Sequence, residues 1–135
     1  MNLIMKAKKM KKYEEIGGNH YGLLRYEPVD FIMKFNLNWF QGEILKYVSR
    51  FLNKNGKQDL RKARSVCDIA MKLEDTQLKI LFPELTDYDA IHEYASQFPY
   101  SKIMEKIIPE VLRKNYKEAK SCISSLLWRY YATSN

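Results

Sequence analysis

A chain of 135 residues is long enough for one domain with a real core, and its 46% hydrophobic and 29% charged residues are those of a soluble globular protein. Its formal charge of +7 favours phosphate-bearing partners, nucleotide or nucleic acid. No apolar run approaches the roughly 20 residues of a membrane span, and the basic start lacks the apolar stretch and cleavage site of a secretory signal.

The charge is uneven. Residues 1–18 carry +3, residues 19–82 carry +4, and residues 83–135 are neutral. Scarce Gly and Pro favour helices over a sandwich or barrel. Cys67 and Cys122 sit among apolar neighbours without metal-ligand spacing, so both read as reduced cysteines of a cytoplasmic protein.

In chain order, residues 1–13 interleave five lysines with Met and Leu, as a solubilising arm or one that contacts nucleic acid or another subunit. Gly17-Gly18 breaks any helix there, and His20-Tyr21 follows, placed to contact a phosphate or base or to cap a helix. Pro28 suits the first position of a short helix with Asp30 in its first turn, and Val29, Ile32, Met33 and Phe35 form the expected buried stripe. The alternative role for Asp30 is a general base or sugar-hydroxyl acceptor.

Asn38 and Gln41 have capping-box spacing ahead of a main helix reaching about Asn53. Gly42 inside it permits close approach of another helix or a ligand. Glu43, Lys46, Arg50 and Lys54 fall on one face, while Ile44, Leu45, Val48, Phe51 and Leu52 are available for burial. Asn55-Gly56 is a stop signal. The next helix is expected over 57–81, with Leu60, Ala63, Cys67, Ala70, Met71, Leu73 and Leu78 inward and Asp59 and Lys62 one turn apart near its start. Residues 86–89 introduce a further helix to about Gln97. Another runs from Ser101 to about Lys114, kinked or broken at Pro109, and the last spans 116–131.

The cations of 42–63 suit either a solvated face or a phosphate-rich small ligand. The five glycines, at 17, 18, 22, 42 and 56, cannot supply a phosphate loop or a dinucleotide fingerprint, and no zinc motif occurs. Phosphates would have to be held by side-chain cations and helix ends.

The stretches NHYGLLRYEPVDFI and WFQGEILKYVSRFLNKNGKQDLRKA resemble a small phage-encoded family long filed as a domain of unknown function and commonly called nucleotide kinase. The resemblance covers about residues 19–74, with His20, Tyr21, Asp30, Gly42, Lys46, Tyr47, Arg50, Lys54, Asp59 and Lys62 at matching positions. Glu43 departs from it, standing where the family has Asn, and so does the region around Val66-Cys67. The resemblance implies a helical domain that binds nucleotides and, as in its best-known member, a kinase without the usual phosphate loop, moving phosphate from a nucleoside triphosphate to a nucleoside or deoxynucleoside monophosphate. Lys46, Tyr47, Arg50, Lys54, Lys57 and Lys62 would hold nucleotide and phosphates, His20 and Tyr21 would touch base, sugar or phosphate, and Asp30 or Asp59 would orient an acceptor or a magnesium ion. No cofactor is expected to be tightly bound; magnesium would enter with the nucleotide. One chain offers few such groups, so a homo-oligomer is expected. A non-catalytic nucleotide-sequestering protein, or a nucleic-acid binder using the basic arm, is the alternative.

The fold expected is all-α, a compact bundle of about five to six helices. It comprises a basic arm (1–18), a helical nucleotide-binding core (19–82) and a helical extension (83–135) packed on that core or used in oligomerisation.

Overall fold

The computed structural model describes residues 24–74 and 87–132. These form six α-helices and no strand: α1 (Pro28–Lys34), α2 (Trp39–Arg50), α3 (Lys57–Leu73), α4 (Tyr88–Ala95), α5 (Ser101–Leu112) and α6 (Tyr116–Tyr131). The basic arm over 1–18 lies outside the described residues, as do His20, Tyr21 and Leu78.

Local chemistry sets most boundaries. The Glu27 backbone N–H donates to Asp30 Oδ2 at 3.1 Å, and Pro28 opens α1. Asn38 and Gln41 form a reciprocal box at the start of α2: Gln41 N–H donates to Asn38 Oδ1 at 2.9 Å, and Asn38 N–H to Gln41 Oε1 at 2.8 Å. Asp87 Oδ1 accepts from Ala90 N–H at 3.1 Å to cap α4.

The four longer helices close a ring of contacts: α2 on α3, α3 on α6, α6 on α5, and α5 on α2. Side-chain pairs fix each direction. Arg50–Asp59 at one end and Asn38–Glu74 at the other make α2 and α3 antiparallel. Lys120–Asp68 at 2.7 Å and Arg64–Ser124 at 3.4 Å do the same for α3 and α6. Gln41 Nε2 donates to the Val111 carbonyl at 3.0 Å, and Tyr100 Oη to the Val48 carbonyl at 2.6 Å, which sets α5 against α2. The core therefore draws on both the basic stretch and the neutral final third.

An aromatic seam runs through this core. Phe35, Phe31, Tyr94, Phe98, Tyr100 and Phe51 succeed one another with ring centroids 4.4–5.5 Å apart, and Phe51 meets Tyr130 at 5.4 Å. Buried Tyr94 also shares a 2.6 Å hydrogen bond with Ser49.

Several expectations change. α3 stops at Leu73 rather than Leu81, because Glu74 turns extended. Its carboxylate, through Oε1, accepts from Asn38 Nδ2 at 2.8 Å and Tyr116 Oη at 3.2 Å, contacts from two other helices that no local sequence signal announces. Leu73 is 71% exposed, and Val66 takes a buried place on that helix. In α1 the inward residue is Phe31, and Met33 is 75% exposed, since Pro28, Phe31 and Phe35 share a face that Met33 does not. Leu52 falls in a 3₁₀ turn, Phe51–Asn53, that rotates it outward. α5 continues unbroken through Pro109, held by the buried Ile107, Ile108 and Val111 on either side.

At Gly42 a Cβ would meet Ile32 Cδ1 of α1 at 3.4 Å, an ordinary contact distance, so the expected close approach does not itself demand a glycine. Gly56 is required. Its φ of +55° lies where L side chains are strained, and a Cβ would come 3.2 Å from Tyr131 Oη.

Candidate basic–aromatic site

Antiparallel pairing brings the last turns of α2 against the first turns of α3. The corner is fastened by Arg50 and Asp59. Arg50 Nε and Nη2 approach the two carboxylate oxygens at 3.2 and 3.3 Å, and the Asn55 N–H donates to Oδ2 at 3.3 Å. Asp59 is fully buried and the Arg50 side chain is 11% exposed, so both charges are held where each needs the other.

One turn back along α2, half-buried Tyr47 gathers cations. Lys46 Nζ and the Arg50 guanidinium carbon each lie 4.9 Å from its ring centroid, and Lys62 Nζ reaches across from α3 to 5.8 Å. Three cations converging on one ring repel each other, and the protein offsets two of them. Lys46 is bonded to Glu43 Oε1 at 2.7 Å, and Arg50 is held by Asp59. Lys62 is exposed and faces only the ring through its ammonium among the described residues. The cluster thus keeps a net positive charge at an aromatic surface, an arrangement suited to an anion attached to a planar group.

The structure unites Lys46, Tyr47, Arg50, Asp59 and Lys62 of the residues singled out from sequence. Asp30 and Lys54 depart from the expected placement. Lys54 follows the 3₁₀ turn with φ −138° and ψ −92°, so the helical spacing that placed it on the Arg50 face no longer applies. Lys57 is the first residue of α3. Asp30 lies on α1, engaged in capping that helix. His20 and Tyr21 are outside the described residues.

Sequence reading passed over Tyr131. This residue of α6 packs on Gly56 at the corner, and burial pushes its hydroxyl pKa up, with Asp59 among the contributors. No spacing rule could have found it, because it comes from the far end of the chain.

Elsewhere, His92 is exposed and bonded through Nδ1 to Glu105 on α5. Burial raises the pKa of Cys67 to about 12, so it stays a neutral thiol. Among the described residues no group of three or more His, Cys, Asp or Glu is placed to hold a metal ion, and no helix is long and apolar enough to cross a membrane.

Comparison with known proteins finds a family model described as a protein of unknown function, DUF3310, matching residues 17–68. The match contains the Tyr47 cluster and the Arg50–Asp59 corner. It corrects the resemblance drawn from sequence: what matches is a family of unknown function, and nothing in it names a nucleotide kinase. No curated protein and no solved structure matches the chain.

Proposed function

We propose that this protein binds a nucleotide at the α2–α3 corner, with Tyr47 against the base or sugar and Lys62, Arg50 and Lys46 toward phosphate. The observation that carries this reading is the convergence of three cations within 6 Å of one half-buried tyrosine ring, with Lys62 supplying positive charge that no described carboxylate offsets. Arg50 is pre-positioned by a buried carboxylate, so little side-chain entropy is lost when a ligand engages it. A flexible solvated surface has no need of that anchor.

Phosphoryl transfer from a nucleoside triphosphate to a monophosphate is the enzymatic form of the same reading. It asks for a group that orients the acceptor hydroxyl or a magnesium ion. Asp59 has both oxygens committed to Arg50 and Asn55, and Asp30 caps α1. This geometry favours binding over turnover.

Calorimetric titration with nucleoside mono-, di- and triphosphates, with and without magnesium, paired with chromatographic detection of products, tests both forms. Saturable binding that Tyr47→Ala and Lys62→Gln weaken at unchanged thermal stability supports the site. Product formation from a triphosphate and monophosphate pair would add catalysis. No binding of any nucleotide, or binding indifferent to both substitutions, overturns the proposal.

A further inference from the structure

Glu43 lies one turn before Tyr47 on α2, and its carboxylate is only 19% exposed. It sits 2.7 Å from the Lys46 ammonium, itself 4.9 Å from the Tyr47 ring. Of the three cations around that ring, Lys46 and Arg50 are each held by a carboxylate, and the partners differ in kind. Asp59 lies at the buried corner, where it fixes Arg50. Glu43 is partly buried, one helical turn from the ring, and does no other bonding among the described residues. Its contact with Lys46 is a three-residue helical pair, worth a few tenths of a kcal/mol to a helix. Its larger consequence is electrostatic: it withdraws one cation from the cluster and places a negative charge beside it.

We infer that Glu43 is a specificity-determining residue, biasing this site toward ligands with a single phosphate and against polyphosphates. The inference rests on the reading of the corner as a nucleotide site. A single phosphate is served by Lys62 and Arg50. A chain of phosphates reaching past Tyr47 toward Lys46 meets a carboxylate already holding that ammonium, and each added phosphate adds negative charge to be repelled. Neutralising Glu43 releases Lys46 and removes the repulsion together.

The test compares wild type, Glu43→Gln and the double variant Glu43→Gln/Lys46→Met. Each is titrated with inorganic phosphate, tripolyphosphate, AMP and ATP at fixed ionic strength without divalent metal. Glu43→Gln is expected to tighten tripolyphosphate and ATP by about tenfold while phosphate and AMP change by less than about twofold. Replacing Lys46 as well should abolish most of that gain. An equal gain for all four ligands, or none, overturns the inference while leaving the nucleotide site intact. Failure of every protein to bind any of the four removes the site itself and the inference with it. Thermal melts confirm that the substitutions leave the fold unchanged.

Discussion

Arg50 and Asp59 meet side-on at 3.2 and 3.3 Å across the turn that joins α2 to α3, with the carboxylate fully buried. The pair fixes the angle of the corner and the position of the guanidinium beside Tyr47. Its net worth against an apolar pair is small, but removing one partner strands the other. Asp59→Ala should therefore destabilise the fold by about 3 kcal/mol, measured by urea denaturation. Arg50→Lys should recover part of the stability lost in Arg50→Ala, because an ammonium keeps the charge without the two-pronged geometry.

The two helical-hairpin glycines should respond oppositely to the same change. Gly56→Ala forces a side chain into φ +55° and toward Tyr131 Oη, with an expected cost of about 1–2 kcal/mol. Gly42→Ala meets Ile32 at an ordinary contact distance and gains helix propensity, with an expected gain of up to about 1 kcal/mol. Thermal unfolding of the two variants reads the sign directly.

Glu74 ends α3 by binding Asn38 and Tyr116 at once. Glu74→Ala should cost about 1–2 kcal/mol and raise hydrogen exchange at the start of α2, where Asn38 loses one of its anchors. If the helix end were set locally, exchange there would not change.

Alkaline pH should unfold the protein. Burial raises the Cys67 thiol to about 12, and burial foremost, with Glu93 and Asp87 beside it, raises the Tyr26 hydroxyl to about 12. Both groups ionise more readily in the unfolded chain, so that state binds fewer protons above about pH 9, and stability falls as pH climbs from there toward 12. Cys67→Ala should flatten the lower part of this slope, at the expense of a small cavity. Urea midpoints between pH 8 and 11 measure it.

Tyr47 offers a separation of aromatic from hydroxyl chemistry. Under the proposed nucleotide reading, Tyr47→Phe should keep affinity within about threefold, whereas Tyr47→Ala should lose about tenfold or more, since the ring gathers the cations and would itself face the base or sugar. Equal losses in the two variants would assign the role to the hydroxyl.

Much of this architecture was written in local chemistry. The Asn38–Gln41 box, Pro28 at the head of α1, and Gly56 at the corner act over three or four residues, so the order and type of the helices could be read in the chain. The same short range placed Lys46, Tyr47 and Arg50 on neighbouring turns. What the sequence could not state was what each charge faces. Asp59 reads as a carboxylate one turn from Lys62, free to orient an acceptor or a magnesium ion, and only the packing of α3 against α2 buries it under Arg50. Tyr131 reaches Gly56, and Glu74 reaches Asn38 and Tyr116, because the helix ring closes. The expected placement of Lys54 met the converse limit: a 3₁₀ turn interrupts the helical periodicity on which it rested. Helix periodicity is a property of a few neighbouring residues, whereas burial and charge pairing depend on which helices are packed together, and that was decided only by the tertiary structure.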